Sequence, residues 1–194
     1  MDNNTVVLVV VVIAILVALA VWLQMRRRKS EELERRFGPE YQRAVQDLGS
    51  RDKAEAELQA RQKRVEQLNI VPLSPPDAQR FHEAWRALQA RFVDDPKGAL
   101  VDADRLVREL MQKRGYPMAD FERRAADISV HHPQVVSNYR AAQDIARRDR
   151  EGGVDTEGMR QAVIHYRALF AELLEVDERT GQAQSHHQQM RAPS

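Results

Sequence analysis

Cysteine is missing from this chain of 194 residues, which excludes disulfide staples, thiolate metal sites and a thiol nucleophile. Lysine is scarce: 25 of the 30 basic residues are arginine and five are lysine. An excess of either charge is missing too, because 29 carboxylates nearly cancel the 30 basic side chains. That balance argues against a nucleic-acid-binding body, which would show a clear basic excess. Phosphate-cradling glycine loops of the G-x-G-x-x-G or G-x-x-x-x-G-K kind do not occur, nor does an H-E-x-x-H helix or an EF-hand loop. A G-x-S-x-G nucleophile elbow is likewise missing. The expectation is therefore a non-catalytic protein with no cofactor. Outside one N-terminal run, no stretch of β-branched residues alternates between turn signals, so no sheet is expected.

That run, Val6 to Leu23, is the dominant feature. It holds 18 consecutive apolar residues: eight Val, four Leu, three Ala, two Ile and Trp22. As a helix it would reach about 27 Å, close to the ~30 Å hydrocarbon core of a bilayer. It carries no polar stripe, so it does not read as an amphipathic helix in water. A cleaved signal peptide would begin with basic residues. Here Met1 to Thr5 has none, and the basic cluster Arg26-Arg27-Arg28-Lys29 follows the run. The pattern predicts one transmembrane helix. The positive-inside rule places the short N-terminus, residues 1–5, outside and the remainder in the cytoplasm. Ala14-x-x-x-Ala18 offers a small-residue face through which weak self-association could occur. The basic cluster reads as a topology flank, with contact to anionic headgroups as the alternative.

Residues 24–69 are highly charged and poor in apolar residues, and read as charged juxtamembrane helix interrupted at Gly38-Pro39. Phe37 and Tyr41 flank the break. Two readings stay open for them: a hydrophobic staple across the break, or a surface for a partner or the membrane. Prolines 72, 75 and 76 mark the next boundary, with Ser74 as an N-cap. Residues 70–176 then read as a soluble bundle of five helices. The first carries the stripe Phe81, Trp85, Leu88, Phe92. The second opens at Pro96 and stops near Gly115. A short third helix buries Phe121, Ala125 and Ile128. The fourth opens at Pro133, and Asp155 or Thr156 caps the last. Residues 177–194 are polar and are expected to be disordered.

Several residues invite chemistry without compelling it. His131-His132-Pro133 lies at a helix junction, where capping or exposure is favoured over metal binding. His165 is expected to be partly buried and hydrogen-bonded, and His82 exposed. Asp94-Asp95 and Asp102-x-Asp104 sit at a helix N-terminus, where the helix dipole already favours negative charge.

The segments Arg36 to Tyr41, Trp85 to Pro96, Arg114 to Pro117, Phe121 to Asp127, His132 to Val136 and His165 to Phe170 together resemble a group of uncharacterised bacterial proteins with one N-terminal hydrophobic segment. The arginine and alanine richness fits a GC-rich bacterial genome. In that group an Asp often precedes the His-Pro pair, where this chain has His131. The resemblance, to a group described as membrane or secreted proteins, implies the same all-α architecture and no activity. The expected localisation is the bacterial inner membrane. The expected function is a membrane-anchored scaffold with a protein partner. Ligand binding between helices and lipid sensing by the basic cluster are the alternatives.

Overall fold

In the computed structural model the backbone is described from Asn3 to Gln189, and side chains from Val11 to Leu174. Eight helices follow in order: α1 Asn3–Phe37, α2 Pro39–Leu48, α3 Arg51–Glu66, α4 Pro75–Arg91, α5 Pro96–Lys113, α6 Phe121–His131, α7 Val136–Arg150 and α8 Thr156–Gln189. Among the described residues there is no strand, as expected of an all-α chain. The chain divides into two compact units, Met1–Leu58 and Gln59–Ser194.

In the first unit α1 stops where Gly38 adopts φ +49°, a left-handed value that costs a residue with a Cβ and suits glycine. Pro39 then occupies the first turn of α2, where its missing N–H costs nothing. α2 doubles back along α1, and Gln42 Nε2 donates to Glu34 Oε1 at 2.7 Å. α3 starts in parallel with α1: Arg26 pairs with Asp52, and four residues further along α1, Ser30 donates to Glu55. Between the three helices lie Leu33, Phe37, Tyr41, Ala44, Ala54 and Leu58, all buried. The segment expected to be charged juxtamembrane helix therefore has a small core of its own. Its apolar residues are too few to give one long stripe because three helices share them.

In the second unit α8 packs against α5 and α7, and α4 packs against α5. Trp85 of α4 stacks on Phe170 of α8 at 4.6 Å between ring centroids, and Phe81 meets the same ring edge-on at 6.5 Å. Tyr139 and Tyr166 lie edge to face at 6.3 Å. Four helix starts are fixed by side-chain caps on backbone N–H groups. Ser74 Oγ accepts from Asp77, Asp95 from Gly98, Asp120 from Arg123, and Asp155 from Gly158. The helix expected from Pro133 begins at Val136 instead, because residues 133–135 form a turn that His132 closes by accepting from Val135 and Val136 at 3.3 Å each. The polar segment expected to be disordered continues α8 to Gln189. Up to that point it contains no proline to stop a helix. Residues 190–194 lie outside the described residues.

Among the described residues no helix is long and apolar enough to cross a membrane. The predicted run starts at Val6, and its side chains as far as Val10 lie outside the described ones. From Val11 onward the run is helical and fully open on every side: every residue from Val11 to Leu23 is exposed.

Candidate functional site

Two regions carry functional character, one in each unit. The first is the stretch from Val11 to Lys29. Its large apolar side chains are between 45% exposed, at Leu23, and 67% exposed, at Met25. Trp22 is 54% exposed, and the Arg26 guanidinium stands 5.5 Å from its ring centroid. Arg26, Arg27, Arg28 and Lys29 are all exposed. They do not act alike, since Arg26 is engaged with Asp52 while the next three follow the turn of α1.

Phe37 and Tyr41 are corrected as partner-surface residues. Both are fully buried in the first unit, because the break at Gly38-Pro39 folds α2 back and brings the two rings into its core. Tyr41 donates to Glu55 Oε1 at 3.0 Å. Burial first, and that carboxylate second, raise its pKa.

The second region is a groove of about 550 Å³ lined by residues of α3, the following linker, the segment just past α5 and the end of α6. Val65, Leu68 and Ile70 give it an apolar wall, and Arg114, Tyr116, His131 and His132 a polar one. The linker lies close because Gly115, at φ +96°, has no side chain: a Cβ there would stand 2.3 Å from the Asn69 carbonyl oxygen. Val71 N–H donates to the Arg114 carbonyl at 2.9 Å. Arg114, itself buried, donates through Nη1 to the Leu173 carbonyl at 2.8 Å.

The two histidines have different surroundings. His131 is exposed, with Nδ1 3.2 Å from the Tyr116 hydroxyl. His132 is 4% exposed, and its backbone N–H caps α6 by donating to Ile128 at 2.8 Å. Its Nδ1 stands 3.3 Å from Glu172 Oε1. Burial lowers the His132 pKa, Glu172 opposes that shift, and Arg114 adds to it. The imidazole is therefore neutral near pH 7.

The remaining sequence candidates fall into structural roles. His165 Nδ1 is 2.8 Å from the Asn138 side-chain oxygen, and His82 is exposed. Asp102 pairs with Arg91 at 2.6 Å and Arg105 at 3.0 Å. Asp104 accepts from the Tyr166 hydroxyl at 2.9 Å and pairs with Arg108 at 3.0 Å. Burial and the Asp104 charge raise the Tyr166 pKa. No group of three His, Asp or Glu side chains able to hold a metal occurs among the described residues.

Sequence reasoning missed one pair. Arg64 donates through Nε and Nη2 to the same oxygen, Oδ1 of Asp127, at 2.9 and 2.7 Å. The Asp127 side chain is 1% exposed, and its Oδ2 is buried without a hydrogen-bond partner among the described residues. The partners are 63 residues apart, and no local pattern announces such a pair. No family model, no curated protein and no solved structure matches the chain.

Proposed function

We propose that this chain is a single-pass membrane protein whose helical part is a tethered, non-catalytic interaction module on the cytoplasmic side of a bacterial inner membrane. The observation that carries the reading is the exposure, on every side of α1, of the apolar side chains from Val11 to Leu23. A helix docked on a protein buries one stripe and leaves the opposite face polar. An apolar surface running all round a rod matches a bilayer instead, where each large aliphatic side chain taken out of water contributes about 1.5–3 kcal/mol. The full run, Val6 to Leu23, has the length of a hydrocarbon core. Trp22 and the cluster Arg26 to Lys29 follow at one end, as an interfacial ring and a cytoplasmic flank do. Tethering raises the local concentration of the helical units at the membrane face, so a weak contact with a protein partner there becomes effective.

The test is an alkaline wash of membranes from cells producing the full chain. The intact protein stays with the lipid. The double substitution Leu16→Arg with Leu19→Arg releases it, since each arginine at mid-bilayer costs about 2.5–3.5 kcal/mol on insertion scales. Release of the unaltered chain overturns the reading.

The groove beside His131 favours a second reading, binding of a small amphipathic molecule, since about 550 Å³ falls within the ordinary range for ligand sites.

A further inference from the structure

The exposed residues around the α2–α3 turn form a group whose place is fixed by the first unit itself. α2 runs back along α1 from the Gly38 break, so its last residues return toward the apolar end of α1. The pairs Arg26–Asp52 and Ser30–Glu55 then set the start of α3 beside the basic flank. Arg26 stands three residues beyond Leu23, which is about 4.5 Å along a helix. The turn from Leu48 to Lys53 is thereby level with the end of the apolar run. Leu48 is 40% exposed there, and Arg51 and Lys53 are exposed next to it.

At this level the charges are uneven. Arg26, Arg27, Arg28, Lys29, Arg51 and Lys53 bring basic groups, against Asp47 and Asp52 from the turn and Glu31 and Glu55 just past Lys29 and Lys53. Asp52 is engaged with Arg26, and Asp47 with Arg43 at 3.5 Å. An exposed leucine followed within the same turn by the exposed cations Arg51 and Lys53 suits a segment lying in an anionic headgroup layer, with the apolar group inward and the charges among phosphates.

We propose that the Leu48–Lys53 turn is a second bilayer contact, which inserts Leu48 at the interface and adds Arg51 and Lys53 to the α1 flank as a collar for anionic lipid headgroups. The proposal rests on α1 spanning the membrane. It goes further in assigning a lipid-binding role to α2 and α3, which lie outside the apolar run. The first unit then stands on the bilayer at two points, which restrains its rotation about α1.

Because the chain has no cysteine, one introduced cysteine gives a unique label. The full chain, reconstituted into vesicles of phosphatidylcholine with phosphatidylglycerol, would carry an environment-sensitive dye at Leu48→Cys, Ser50→Cys or Arg36→Cys. Ser50→Cys keeps the leucine, and Arg36 is exposed ten residues further along α1. Lipids spin-labelled near the headgroup should quench the dye at positions 48 and 50 and spare position 36. Arg51→Glu with Lys53→Glu should weaken the contact by about fivefold for each cation lost, and vesicles of phosphatidylcholine alone should remove the electrostatic part of it. About 1 M salt, which shortens the screening length to about 3 Å, should do likewise. Equal quenching at all three positions, or quenching indifferent to lipid charge, overturns the collar while α1 stays anchored. Loss of the chain from the vesicles in an alkaline wash overturns the anchor itself.

Discussion

His132 shows how one side chain can hold a junction through its neutrality. It caps α6, closes the turn into α7 and touches Glu172 of α8, all while 4% exposed. The groups around it are Arg114 just past α5, His131 of α6 and Glu172 of α8. Its folded pKa is lowered below the ordinary 6.5, chiefly by burial. Between those two values the unfolded chain binds more protons than the folded one. Stability from this residue is thus complete above pH 6.5 and is lost as pH falls below it. Urea midpoints measured from pH 7.5 to 5 should fall for the wild type and fall less for His132→Gln. An equal fall for both would place the titration elsewhere. The sequence marked the His-Pro pair as a junction and favoured capping or exposure. It could not show which of two adjacent imidazoles is buried, since that depends on where α8 passes.

At the scale of elements, helix starts were the most legible feature. Ser74, Asp95 and Asp155 carry their own signal, an acceptor oxygen placed just before a helical pattern. Helix stripes were nearly as clear: Phe81, Trp85 and Leu88 lie buried as their spacing requires. The exception is residues 24–69, where three helices share a thin apolar content and each alone reads as solvated. Pairings between elements were not legible, and the Arg64–Asp127 contact is the clearest case. It ties the end of α3 to α6 through a carboxylate with almost no access to water. Arg64→Ala would leave that carboxylate alone and should cost about 3–5 kcal/mol. Replacing both partners, Arg64→Met with Asp127→Leu, should recover most of the loss because neither charge then remains. Chemical denaturation of the second unit measures the difference, and additive losses in the double variant would argue against a shared contact.

For the whole molecule, the all-α class and the five helices after Pro75 followed from periodicity and punctuation. The small core of Phe37, Tyr41 and Leu58 did not, because its residues come from three helices in two reversals of direction. The membrane reading rests on a length and a charge asymmetry, both of them properties of sequence that exposure along α1 supports. Of the chain's two tryptophans, one belongs to each unit. Trp22 is half open on α1, and Trp85 is closed against Phe170. Intrinsic fluorescence is therefore divided between two separate reporters. A Trp22→Phe chain should show a blue-shifted emission maximum and resist quenching by acrylamide until the α4–α8 core melts. A Trp85→Phe chain should change colour when lipid or detergent is exchanged and ignore that melting.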